Sequence, residues 1–189
     1  MKITDEVWQQ YLDKTKDLWR RYSASEQQQR FMCDIISNLP QGAVVVELGT
    51  CHGLTAGLFM LAGEKNKIDF TTIDNFRMDN NLAEDKPKLD ALNIPYTLLV
   101  SNTQDVVWTK PIDFIFIDAG HDEANVKPDV EKWIPFVKSG GYVSFHDWDG
   151  SEDPSLTPHW AVTHYGNLAT EGWKEIGWIK DQMMVRQKP

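Results

Sequence analysis

Four acidic residues, Glu47, Asp74, Asp118 and Asp147, stand at or just past the ends of short runs of β-branched and aromatic residues. The runs cover 43–47, 68–74, 112–118 and 142–145, and each reads as a buried strand. If these strands lie parallel in one sheet, the acids share its carboxyl edge, where open α/β sheets hold their ligands. One acid after a strand is common in turns and caps; four along one edge, beside Gly49 and Gly53, point to a site. Two of them keep a histidine nearby, in Asp118-Ala-Gly-His121 and in His146-Asp147. Imidazole takes up a hydroxyl proton near neutral pH. The set Asp118, His121, His146 and Asp147 would also serve a metal-dependent hydrolase that binds no nucleoside.

The first turn selects among nucleotide ligands. It runs Val44-Val45-Val46-Glu47-Leu48-Gly49-Thr50-Cys51-His52-Gly53. A dinucleotide turn needs G-x-G-x-x-G, and here Cys51 stands where the second glycine belongs. No Gly-Lys-Ser/Thr follows, which excludes a P-loop. A pyrophosphate would lose its close approach and face Glu47. A carboxylate there suits a sugar hydroxyl or a cationic group, as in the sulfonium cofactor S-adenosylmethionine. Asp74, at the end of the second strand, is placed to hold ribose hydroxyls. As purely structural alternatives, Asp74 could cap the next helix, Glu47 could bind amides of its own turn, and His121 could cap a helix or pack in a loop.

The elements that must position these residues follow from periodicity. Residues 4–22 carry Val7/Trp8, Tyr11/Leu12, Leu18/Trp19 and Tyr22 at helical spacing. Ser23-Ala24-Ser25-Glu26 offers a capping box for a second helix, with Phe31/Met32, Ile35/Ile36 and Leu39 inward, stopped at Pro40-Gln41-Gly42. Beyond the first strand a helix presents Leu54, Leu58 and Leu61 on one face, and a polar helical stretch runs to about 92. The third strand is 96–100. A helix with Val126, Val130, Trp133 and Val137 should kink or restart at Pro128 or Pro135, and Ser139-Gly140-Gly141 turns into the fifth strand. A loop over 149–158, a helix over 158–171 and a hairpin of 173–179 with 183–186 around Lys180-Asp181-Gln182 complete the chain. Strand–helix alternation predicts an α/β, doubly wound, Rossmann-like, seven-stranded, mostly parallel sheet with a C-terminal antiparallel hairpin and an N-terminal helical cover. The expected organisation is a single domain over 1–189, with the cover at 1–40 and the core at 43–189.

Composition sets outer bounds. Nineteen basic against twenty-eight acidic residues give a net charge of -9, which disfavours a nucleic-acid partner. Two cysteines, Cys33 and Cys51, make neither a disulfide framework nor a zinc set; both fall in segments expected to be buried, as reduced thiols. No charged-then-apolar leader and no membrane-length apolar run stand out, so a cytoplasmic protein with no membrane partner is expected. The first forty residues could simply cover the sheet, or form a lid or the arm of a homodimer.

Residues 45–56, Val-Val-Glu-Leu-Gly-Thr-x-x-Gly-x-Thr-Ala, resemble the first motif of class I S-adenosylmethionine-dependent methyltransferases. The segments Asp113-Phe-Ile-Phe-Ile-Asp118-Ala-Gly-His121, Lys138-Ser-Gly-Gly141 and Phe145-His146-Asp147 are similar to the subfamily of macrocin-type sugar O-methyltransferases and cephalosporin-hydroxylase-like proteins. The likeness covers about 43–148. It implies that Gly49, Thr50 and Gly53 line the methionine moiety with Glu47 near its amino group, that Asp74 takes the ribose, and that Asn75 or Phe76 borders the adenine. Ser101-Asn102-Thr103 matches an adenine-edge segment, where Asn102 departs from the relatives' acid and Thr103 is a further contact. Asp118 closes the cofactor site. The resemblance gives His121, with Asp118, the catalytic role as general base, and gives Asp118 and Asp147 to a divalent cation such as Mg2+. His146 stands where some relatives carry an acid, and imidazole is a poor magnesium ligand, so metal-assisted and metal-free courses both stay open.

The implied reaction is methyl transfer from S-adenosylmethionine to a hydroxyl of a small-molecule substrate. Rivals are another S-adenosyl chemistry such as aminopropyl transfer, the hydrolase above, and a binding-only cofactor fold. Trp8, Trp19, Phe76, Met78, Trp148, His159 and Trp160 are available to wall an acceptor pocket.

Overall fold

The computed structural model describes residues 2–18, 24–77, 82–179 and 182–189. Trp19, Tyr22, Ser23, Met78, Lys180 and Asp181, which carried several expectations, lie outside the described residues. Helices α1 (Asp5–Lys14) and α2 (Glu26–Ile36) precede β1 (Val44–Leu48), α3 (Leu54–Gly63), β2 (Asp69–Asp74), α4 (Leu82–Asp90) and β3 (Thr97–Val100). Then come β4 (Ile112–Ile117), α5 (Glu123–Trp133), β5 (Val137–Trp148), α6 (Trp160–Ala169), β6 (Lys174–Ile179) and β7 (Gln182–Gln187). The strands form one seven-stranded sheet in the order β3-β2-β1-β4-β5-β7-β6. Only β7 runs against the others, pairing antiparallel with both β5 and β6.

Side chains on the sheet alternate between two cores. Val45, Phe114 and Phe116 pack beneath α1, α2 and α3, whereas Val46, Leu48, Ile115 and Ile117 pack against α5 and α6, the period of two that a pleated strand imposes. Phe59 of α3 is the hub of the first core, edge-on to Phe70, Phe114 and Phe116 with ring centroids 6.2, 5.7 and 5.8 Å away. α3 does not show one apolar face as expected; all ten of its residues are buried. Its outer side is roofed by the cover and by the turn after α4, since a Cβ on Gly57 would meet Leu18, Leu92 and Thr15. The cover is therefore part of the core: Trp8, Met32, Cys33 and Ile36 are buried in it.

Several boundaries move. α1 stops at Lys14, where the Thr15 hydroxyl donates to the Tyr11 carbonyl (2.8 Å). The cap of α2 is Ser25, whose N–H is met by the Gln28 side chain, a box shifted two residues from Ser23. Pro128 is absorbed inside α5, and the restart comes at Pro135 in a 3-10 turn over Ile134–Phe136. Val137 leaves the helix to begin β5, opposite Ile112. Ser139-Gly140-Gly141 lies within β5, where the pairing with β4 shifts register and Gly140 has φ +78°. Cys33 is buried and Cys51 half-buried, both free. Among the described residues no helix is long and apolar enough to cross a membrane.

Phe59→Ala should destabilise the fold by about 3–5 kcal/mol, read as a lower urea midpoint at unchanged m-value.

Candidate active site

Strand register puts the site together. Leu48 of β1 lies beside Ile73 of β2 and Ile117 of β4, and Ile117 beside Phe145 of β5. The next residue of each strand is Gly49, Asp74, Asp118 or His146, so these four form one row at the carboxyl edge. β1 and β4 are neighbours in the sheet order, with β2 and β3 to one side and β5 to the other. The row thus spans the point where the winding reverses.

Glu47 stands two residues inside that row, level with Thr72 and Phe116, and is fully buried. It accepts from the Thr72 hydroxyl at 2.6 Å, and Thr72 is 2.6 Å from the Thr50 hydroxyl. Its Oε1 has no hydrogen-bond partner. Burial pushes its pKa well above the usual carboxylate range, with the charges of Asp118 and Asp74 adding to the rise against the Thr72 bond. The alternative that Glu47 binds its own turn's amides fails. Asp74 does that work instead, accepting from the N–H of Cys51 at 2.8 Å and of Phe76 at 2.6 Å.

Two glycines shape the turn. Gly49 has φ +95°, and a Cβ there would overlap the backbone carbonyl of Asp118. Gly53, at φ +81°, begins α3 and would drive a Cβ into Leu89 of α4. α4 is fastened over the turn by Asp85, 2.9 Å from His52 Nδ1.

At the β3 end, Asn75 Nδ2 donates to Asn102 Oδ1 at 3.0 Å, and Asn102 donates to Asp105 at 2.6 Å. Phe76 is half-buried at φ +52°. Thr103 is brought elsewhere: it is buried and its hydroxyl donates to Asp129 of α5, so it ties the loop after β3 to the scaffold.

On the β4–β5 side, Asp118, His121, His146 and Asp147 converge. One ligand-type atom from each lies within 4.8 Å of all the others. His121 Nε2 is 3.0 Å from Asp147 Oδ2 and 3.5 Å from Asp118 Oδ1. His146 Nδ1 is 3.0 Å from the same Asp118 oxygen and 3.3 Å from the same Asp147 oxygen. A regular strand would send His146 and Asp147 to opposite faces. β5 avoids this with a register shift against β7 between His146 and Trp148, Asp147 adopting φ +53°. Such a bulge re-aims a side chain, and Asp tolerates the left-handed region better than most residues. His121 is no cap; Asp122 caps α5 by accepting from the Asn125 N–H at 3.0 Å.

Burial alone would lower both imidazole pKa values, but Asp118 and Asp147 outweigh it and raise His121 to about 9 and His146 to about 10. Burial raises Asp147, yet the two histidines hold it well below the usual carboxylate range.

The aromatic candidates divide. Trp8 is buried in the cover and donates to Glu26 at 2.8 Å. Trp148 is buried against Phe145 and Arg186. His159 reaches the site, with its ring 5.4 Å from that of His121 and Nδ1 3.9 Å from Asp147. Trp160, half-buried, follows it at the start of α6. Asp149, which sequence reasoning passed over, organises the loop leading there by accepting from Thr157, from Ser151 N–H (3.0 Å) and from Thr163 (3.4 Å); its only sequence signal is an acid two residues past Asp147. A groove of about 380 Å³ between α2 and β6, lined by Arg30, Phe31 and Trp178 among others, contains none of the strand-end acids.

Residues 46–148 match a family described as a methyltransferase domain, just over half of the chain. The chain belongs to that methyltransferase family. A search of curated proteins finds no match. Among solved structures the fold is similar to a methyltransferase of Podospora anserina bound to S-adenosylhomocysteine (SAH), at 13% identity and TM-score 0.69, over 100% of this chain and 90% of that one. It is also similar to the O-methyltransferase from Bacillus cereus in complex with SAH, at 16% identity and TM-score 0.68, covering 98% and 92% of the two chains. A third is the O-methyltransferase TomG from Streptomyces achromogenes, involved in tomaymycin synthesis and solved with S-adenosylmethionine, at 15% identity and TM-score 0.63, covering 100% and 92%.

Gly49→Ala should cost at least about 2 kcal/mol, because a Cβ at that φ is strained and must also displace the β4 backbone; a thermal unfolding midpoint within error of the parent would contradict this.

Proposed function

We propose that this protein transfers the methyl group of S-adenosylmethionine to a hydroxyl of a small-molecule acceptor. The observation that carries the reading is the single row of Gly49, Asp74, Asp118 and His146, in a chain of the methyltransferase family. Nucleoside-type residues end β1 and β2 at the same level at which proton-handling residues end β4 and β5. That two structural neighbours are O-methyltransferases supports the choice of hydroxyl.

The residues present fit that cofactor. Glu47 Oε1, buried without a partner, is where a cationic amino group would be stabilised, since a buried acceptor is costly until it is paired. Gly49 brings backbone, without a side chain, to the methionine part, with Thr50 and Gly53 completing the turn. Asp74 accepts from two backbone N–H groups, and a carboxylate has acceptor positions for more donors than two, a ribose hydroxyl among them. Asn75, Phe76 and Asn102 border the adenine. When bound, the cofactor supplies an electrophilic methyl on a sulfonium, and catalysis rests on aligning the acceptor oxygen with it.

Asp118 and His121 handle the acceptor's proton. Burial lowers the His121 pKa and contact with Asp118 and Asp147 raises it, so His121 is a better base when another partner meets the charge of those carboxylates. His159 and the loop organised by Asp149 border the acceptor side, while Trp8 and Trp148 belong to the core. Reduced Cys33 and Cys51 are consistent with a cytoplasmic setting.

Calorimetry should show one SAH bound per chain; its absence would sink the cofactor reading. Asp74→Ala should weaken SAH binding by about tenfold or more, a lost charge-assisted hydrogen bond being worth about 1.5–3 kcal/mol. His121→Ala should keep SAH affinity and lose most methyl transfer across an acceptor panel, and undiminished turnover would remove His121 from the mechanism.

A further inference from the structure

The tetrad has a shape that acid–base chemistry alone does not require. Its four atoms close a ring: Asp118 Oδ1 to His146 Nδ1, 3.0 Å; to Asp147 Oδ2, 3.3 Å; to His121 Nε2, 3.0 Å; and back to Asp118, 3.5 Å. Adjacent ligands of one cation bound at about 2.1 Å are separated by about 3.0–3.4 Å, whether tetrahedral or octahedral. Each carboxylate turns a single oxygen to both imidazoles, where a pair arranged for hydrogen bonding would share the load between its two. His146 Nδ1 is fully buried and, despite its closeness to Asp118, is aligned for no hydrogen bond. A ring nitrogen that is near a carboxylate oxygen but not directed along a hydrogen bond is what convergence on a common point produces. β5 adopts a left-handed residue at Asp147 to bring the last donor in.

We propose that Asp118, His121, His146 and Asp147 together bind one first-row transition dication of the Fe2+ to Zn2+ range in preference to Mg2+, with His121 a ligand in place of the free base it is in a metal-free course. Two of the four donors are imidazole nitrogens, which suit those ions, whereas Mg2+ demands oxygen donors and gives up its waters reluctantly. His146 is the discriminating residue, because it replaces an oxygen with a nitrogen beside Phe116, whose ring lies 6.1 Å from the imidazole and leaves that side dry. A cation there would lower the pKa of an acceptor hydroxyl and fix its angle of attack; that consequence rests on the methyltransferase reading, while the binding does not.

The test uses tag-free full-length protein stripped with chelator and titrated with Co2+, read by its visible absorption. One equivalent should bind per chain, be displaced by Zn2+ and resist a large excess of Mg2+. His121→Ala and His146→Ala should each weaken Co2+ binding at least tenfold and alter the spectrum, with circular dichroism and SAH calorimetry unchanged. His146→Asp should bring Mg2+ into effective competition. No saturable Co2+ binding, or displacement by Mg2+ and Zn2+ alike, would overturn the proposal, and an unaltered His121→Ala spectrum would remove that residue from the ligand set. If a variant fails to fold, the competition titration on the parent protein still decides. SAH binding without Co2+ binding would reject the metal site and leave methyl transfer standing; Co2+ binding without SAH binding would do the reverse.

Discussion

The backbone contact between Gly49 and Asp118 sets the site. The parallel ladder continues one residue beyond the strands on both sides: Gly49 N–H donates to Ile73 O at 2.8 Å, and Asp118 N–H donates to Leu48 O at 2.9 Å. With no Cβ on Gly49, the turn after β1 lies directly on the carbonyl of Asp118. That contact joins the half of the sheet edge proposed to take the nucleoside, β1 to β3, to the half that carries the Asp–His tetrad, β4 and β5. A methyl group transferred in line must travel only a short distance, so the separation of the two halves is itself a catalytic variable. Here backbone sterics fix it, and no mobile side chain intervenes.

The acids of the edge separate into three physical situations. Glu47 is buried, its pKa pushed up by that burial, and tied to hydroxyls; Asp74 is half-buried and tied to amides; Asp118 and Asp147 face imidazoles. Asp113, at the opposite end of β4, has none of these roles, accepting from Val44 N–H at 2.9 Å and pairing with Lys138. The same residue type in one strand is therefore a scaffold fastener at one end and part of a reactive cluster at the other. The difference comes from the sheet edge each end meets.

Much of this was legible in the sequence. Strand identity, the carboxyl-edge row, the reversed winding and the closing hairpin all follow from hydrophobic runs and the positions of Glu47, Asp74, Asp118 and Asp147. What stayed hidden depends on contacts between distant segments. That α3 is buried on every side depends on Leu18 and Leu92 reaching Gly57, and no window around 54–63 contains them. The resemblance puts Thr103 at the adenine edge, but that its hydroxyl meets Asp129, 26 residues away, is in no local window. That Asp74 and not Glu47 binds amides of the turn depends on the turn folding back so that Cys51 N–H meets β2.

The bulge at Asp147 is the most consequential hidden feature. In a sequence, His146-Asp147 reads as adjacent strand residues, and the pleat assigns them to opposite faces. Pairing both with Asp118 and His121 needs a departure from strand geometry that only the register with β7 reveals: His146 opposes Met183, and Trp148 opposes Gln182, leaving Asp147 unpaired. The antiparallel strand thus does more than close the sheet. A sixth parallel neighbour would run with β5 and pair it through a different pattern of hydrogen bonds, whereas the antiparallel pairing with β7 accommodates the extra residue through a bulge, the setting in which bulges are mostly found. The hairpin at the end of the chain is in this way coupled to the chemistry at the end of β5, although none of its described residues belongs to the tetrad.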